Sequence, residues 1–84
     1  MSYAVYIKRS AEKELDRLPI EVHDRVIKQL ISLGNNPRPH GMKKLQGREG
    51  YRIRVGDYRI LYVIDDKENK LEIISVAHRK EVYH

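Results

Sequence analysis

Three arginines carry the chemistry of this sequence: Arg52, Arg54 and Arg59, within the stretch GYRIRVGDYRILY at 50–62. Guanidinium is a planar fork of N–H donors that matches phosphate oxygens and stays charged at any ordinary pH. Tyr51, Ile53 and Val55 alternate with Arg52 and Arg54, and a second β-prone run, 58–64, begins after only Gly56 and Asp57. A Gly-Asp pair between two such runs predicts a hairpin with a two-residue loop, Gly taking the positive φ of a type II′ turn. In that register Val55 faces Tyr58, Arg54 faces Arg59 and Ile53 faces Ile60. One face then holds Tyr51, Ile53, Val55, Tyr58, Ile60 and Tyr62, and the other holds the three arginines. Like charges directly across a strand pair repel. A chain that keeps three guanidiniums on one patch is therefore expected to hold an anion there.

The charge distribution agrees. The 84 residues carry a net charge of +5. Residues 1–34 hold six Lys/Arg and five Asp/Glu, residues 35–64 seven and two, and residues 65–84 four and five. The excess lies around the hairpin, the footprint expected for a polyanion, nucleic acid first. A solvated basic surface has the same composition. Lys43, Lys44 and Arg48 lead into the hairpin and are candidates for steering or binding phosphate. No metal-ligand spacing, Gly-rich nucleotide loop or nucleophile elbow is present, and no cofactor is implied. With no cysteine, no apolar run near a membrane span and no signal-peptide core at the start, the expected setting is cytoplasmic, without a membrane partner.

At the far end stand His78, Arg79 and Tyr83. Joined to the hairpin arginines, they would suit metal-free RNA cleavage, in which the ribose 2′-OH attacks the adjacent phosphate and expels the 5′-oxygen. Arginines would hold the developing charge but make poor bases. His78 has the intrinsic pKa for proton transfer. Tyr83 could stack on a base. Each also has a structural reading: outward strand arginines keep an edge soluble, and His78 or Tyr83 can pack the tail.

The elements that must position these groups are short. Residues 2–9 alternate as a strand. Ser10 is placed to cap a helix carrying Ala11, Leu15 and Leu18 on one face. Pro19 ends that helix and opens a second, with Val22, Val26, Ile27, Leu30, Ile31 and Leu33 as its apolar stripe and Gly34-Asn35 as its stop. Pro37, Pro39, Gly41 and Gly47 make 35–47 a loop, with Leu45 as its anchor to the core. In the last strand, 71–76, Leu71, Ile73 and Ser75 share one side, and Glu72, Ile74 and Val76 the other. The predicted architecture is α+β, one domain over 1–84 in the order β-α-α-β-β-β. A helical hairpin packs on a small, mostly antiparallel four-stranded sheet, with the arginine face outward.

These features together resemble the RelE/ParE superfamily of bacterial toxins, and its RelE branch more closely. The likeness rests on Leu18-Pro19, Lys44-Leu45-Gln46-Gly47, YRIRVGDYRILY at 51–62 and ISVAHRKEVY at 74–83. It implies a toxin of a type II toxin–antitoxin system: a ribosome-dependent mRNA endonuclease acting on the A-site codon. It also implies a cognate antitoxin as silencing partner, with operator DNA reached only through their complex. By position it implies that Arg52 and Arg54 are the two basic residues of the first hairpin strand. Arg59 becomes the phosphate-binding arginine, Arg79 the general acid and Tyr83 the base-stacking tyrosine. The best-known members carry lysines where Arg52 and Arg54 stand, one as the proposed base, so His78 becomes the candidate for proton transfer. A ParE-like gyrase inhibitor and a non-catalytic RNA- or protein-binding module are the alternatives.

Overall fold

The computed structural model describes residues 2–78. Its elements are β1 (Ala4–Ile7), α1 (Arg9–Asp16), α2 (Ile20–Asn35), β2 (Lys43–Lys44), β3 (Tyr51–Val55), β4 (Tyr58–Asp65) and β5 (Lys70–His78). The strands form one sheet in the order β1-β5-β4-β3-β2. β1 runs parallel to β5 and the other neighbours are antiparallel. The α+β class is as expected, but the sheet has five strands rather than four. The added strand is Lys43–Lys44, paired with Arg52 and Tyr51. Two residues carry no alternation to read. They extend because β3 would otherwise leave an open edge of N–H and C=O groups. Among the described residues no helix is long and apolar enough to cross a membrane.

Both helices start where a strand or proline hands over the chain. The Lys8 N–H donates to the Ile73 carbonyl at 2.9 Å, and Lys8 is itself the N-cap of α1, with no side-chain capping bond. Ser10, the expected cap, is therefore already inside the helix: the last strand hydrogen bond sets the boundary two residues earlier. α1 then lies against β5 where β1 has ended. There the Glu14 carboxylate accepts from the Val76 N–H at 3.0 Å and the Ser75 hydroxyl at 3.2 Å, satisfying an edge donor that β1 no longer reaches.

α2 begins after Pro19, whose carbonyl accepts from the His23 N–H at 2.9 Å. Val26, Leu30 and Leu33 are buried, whereas Ile31 is 62% exposed. Gly34 is not the stop; α2 continues through Asn35. A Cβ on Gly34 would stand 3.1 Å from Val5 Cγ2 and 3.2 Å from the Tyr3 carbonyl. The Gly34 carbonyl accepts from the Tyr3 N–H at 2.6 Å. Glycine is used here for the close approach of α2 to β1.

The core lies between the helices and one face of the sheet. Ala11, Leu15, Val26, Leu30 and Leu33 meet Ile53, Ile60, Tyr62, Leu71, Ile73 and Val76. The β4–β5 register pairs Tyr62 with Ile73 but Leu61 with Ser75, leaving Ile74 as an extra residue. This β-bulge reverses the alternation of β5 beyond it. Val76, at 2% exposure, therefore joins Leu71 and Ile73 on the core side, which plain alternation assigned to Ser75.

Tyr62 ties the core to the loop that precedes β2. It is fully buried, and its hydroxyl donates to the Pro37 carbonyl at 2.8 Å. Burial pushes its phenol up to about 12, with the neighbouring Tyr51 adding to the effect. At the sheet end, the Arg38 guanidinium donates to both Asp66 oxygens at 3.1 and 2.8 Å, and the Tyr3 hydroxyl donates to Asp66 at 2.7 Å. Arg38 also lies over the Tyr51 ring, 5.8 Å from its centre. Together these contacts strap residues 37–38 to the sheet.

Tyr62→Phe leaves the Pro37 carbonyl without its donor and is expected to cost about 1–3 kcal/mol in urea unfolding, with little change in slope. The Arg38 fork, then the Tyr3 hydroxyl, hold the Asp66 carboxyl at about 2, below its ordinary 3.8. A depressed carboxyl stabilises the fold above its unfolded-state value and loses that contribution as pH falls through its folded one. The expected result is a carbon-detected NMR midpoint for Asp66 at about pH 2. The stability difference between wild type and Asp66→Asn should shrink as pH falls through that range.

Candidate functional site

The hairpin register places the cations. β3 and β4 pair Val55 with Tyr58, Arg54 with Arg59, Ile53 with Ile60, Arg52 with Leu61 and Tyr51 with Tyr62. Gly56 has φ of 58° and Asp57 is not in the positive-φ region, the pattern of a type II′ turn. Residues directly opposite share a face. Ile53, Ile60 and Tyr62 therefore meet the helices, and Arg52, Arg54 and Arg59 lie on the side the helices leave uncovered.

β2 brings a fourth cation to that side. Lys43 pairs with Arg52. Lys43, Arg52, Arg54 and Arg59, with Gly41 and Ile53, line a cleft of about 220 Å³. Its walls are graded in exposure. Arg54 is exposed, Arg52 half-buried, and Arg59 is 7% exposed on a central strand, between Arg54 on β3 and Ala77 on β5. Among the described residues no carboxylate forms an ion pair with Lys43, Arg52 or Arg54; Asp66 is taken by Arg38. A concave, positively charged pocket of this kind concentrates and orients a phosphate.

The other expected residues fall elsewhere. Lys44 is opposite Tyr51, so the pleat sets it on the far side from Lys43; it borders a neighbouring hollow with Lys43, Leu45, Gln46 and Arg52. Arg48 is exposed in the bend before β3 and borders neither space. His78 pairs with Tyr58, on the helix side of the sheet, and meets the Tyr58 ring edge-on, with centres 5.3 Å apart at 87°. The Ile74 bulge is the cause: with unbroken alternation His78 would share the arginine face. Arg79 and Tyr83 lie outside the described residues. The partnership of Lys43 with Arg52 had no sequence signal, because Lys43, Lys44 and Arg48 look alike until a pairing register is known.

Comparison with known proteins gives this frame its kinship. Residues 5–83 match the family model described as ParE toxin of type II toxin-antitoxin system, parDE. The chain belongs to the RelE/ParE toxin superfamily. Toxin RelE of Mycobacterium tuberculosis is 36% identical over 83 residues, covering 96% of this chain and 86% of that protein. The crystal structure of the toxin–antitoxin complex RelBE2 from the same organism superposes with a TM-score of 0.84 at 29% identity, covering 94% of this chain and 100% of that one. The archaeal RelE–RelB complex from Pyrococcus horikoshii also gives 0.84, at 30% identity, covering 94% of this chain and 97% of its match. The RelE-like sheet thus keeps its helices on one face and gathers its cations on the other.

Gathering them should tax the fold. Arg54 stands directly opposite Arg59, a like-charge cross-strand pair. Arg54→Gln is expected to raise stability by about 0.2–1 kcal/mol at low ionic strength. The gain should fade in half-molar salt, because screening already weakens the repulsion in the wild type. Urea unfolding of both proteins at two salt concentrations checks this.

Proposed function

We propose that this chain is a RelE-like toxin that cleaves mRNA on the ribosome without a metal ion. The observation that carries the reading is the cleft in which the nearly buried Arg59 stands beside Arg52, Arg54 and Lys43. A scissile phosphate seated there would meet forked donors on its non-bridging oxygens. As the 2′-oxygen attacks, negative charge builds on those oxygens, and fixed cations in a partly dry site stabilise it more than water can. The P–O5′ bond then breaks, leaving a 2′,3′-cyclic phosphate and a 5′-hydroxyl. Arg79 is assigned to the leaving group and Tyr83 to stacking on the base. Lys44 and Arg48, outside the cleft, serve the incoming RNA backbone. DNA is spared because it lacks the 2′-OH.

The partners follow from the same surface. Codons would be presented in the A site, and the protein would act in the cytoplasm where translation occurs. A cognate antitoxin would silence it, as relatives form complexes with RelB; it would do so by covering the cationic face, and operator DNA would be met only through that complex. The family model is described by ParE, which keeps a second reading in view: inhibition of DNA gyrase.

Cell-free translation of a defined mRNA, followed by primer extension, tests both. The expected result is cutting within codons that requires ribosomes. It should fall by about 10²–10³-fold in Arg59→Ala and vanish when the nucleotide at the cut carries 2′-deoxyribose. Intact mRNA with normal translation overturns the nuclease reading, and loss of gyrase supercoiling in its place establishes the second.

A further inference from the structure

The described cleft leaves one job unfilled, and its lining indicates which residue can fill it. Four side chains there carry positive charge: Lys43, Arg52, Arg54 and Arg59. Three are guanidiniums, which hold their protons at any pH the fold survives and cannot accept one from a hydroxyl. Lysine can, because its amine is an ordinary base once deprotonated. His78, the candidate of sequence reasoning, is on the opposite side of the sheet against Tyr58.

We infer that Lys43 is the general base of this site, a proposal that rests on the nuclease reading above. Lys43 stands directly opposite Arg52 on the outer face and is exposed, so its amine reaches the cleft from the rim while Arg59 holds the phosphate from the floor. The strap at Pro37 and Arg38 anchors the chain a few residues before it. The neutral Lys43 amine takes the proton of the ribose 2′-OH as the 2′-oxygen forms its bond to phosphorus. The P–O5′ bond breaks with its electron pair leaving on the 5′-oxygen, which takes a proton from solvent water. Lys43 ends as ammonium and returns its proton to solvent.

An edge lysine also guards a sheet against pairing with other chains, and a cationic rim draws in RNA. Both roles ask only for charge, and arginine would serve them as well as lysine. The deciding variant is therefore Lys43→Arg, compared with Lys43→Ala and wild type in single-turnover cleavage of ribosome-bound mRNA. We expect Lys43→Arg to load onto ribosomes like wild type but to cut about 10²–10⁴-fold more slowly. We also expect Lys43→Ala to recover part of its rate when methylamine is added, more at higher pH. Cutting by Lys43→Arg within about threefold of wild type overturns the inference, as does a slow Lys43→Ala that no amine restores. Absence of cutting by the wild type is a separate result: it defeats the nuclease reading itself.

Discussion

The two-residue turn at Gly56–Asp57 decides which side of the sheet every residue of β3 and β4 occupies. Side chains alternate with a period of two, so a slip of one residue would exchange the faces completely. Ile53, Ile60 and Tyr62 would move to water, and Arg52, Arg54 and Arg59 would enter the core. The burial of three apolar side chains against Val26, Leu30 and Leu33 holds the register, and the glycine at φ 58° permits the turn that closes it. The cationic cleft is thus the reverse side of the hydrophobic core, specified by the same pairing.

That arrangement runs against the stability of the sheet. Arg54 opposite Arg59, and Lys43 opposite Arg52, are two like-charge pairs side by side. Sheets normally avoid such pairs or mix their signs. Here the opposing energy comes from apolar packing beneath and from contacts at the sheet end. Tyr62 reaches from the core to the Pro37 carbonyl, and Arg38 grips Asp66, so the loop before β2 is fastened at both the buried and the exposed level. Lys43 can then sit at a strand edge beside Arg52 although its own strand is only two residues long.

The Ile74 bulge separates two functions that a regular strand would have merged. Before it, β5 packs Leu71 and Ile73 into the core; after it, Val76 continues that packing and His78 turns to Tyr58. The outward positions opposite Arg59 and Leu61 go to Ala77 and Ser75, both small. Of the candidates near this hairpin, Lys43 on β2 therefore lines the cleft, whereas His78 stands on the helix side against Tyr58.

Much of this was legible in the sequence. Alternation at Tyr51–Val55 and Tyr58–Tyr62, with Gly-Asp between them, was enough to set the hairpin register and the arginine face, because both depend on neighbours in the chain. The two helices and their junction at Pro19 followed from local periodicity in the same way. The added strand, the bulge and the true start of α1 did not, because each is settled by a partner far away. Lys43–Lys44 extends only against β3, Ile74 is extra only relative to β4, and Lys8 stops β1 only because Ile73 accepts its N–H. Sequence by itself determined that guanidiniums would collect on one face; tertiary pairing decided that a lysine joins them and a histidine does not, since the register between distant strands is an energetic compromise of the whole sheet.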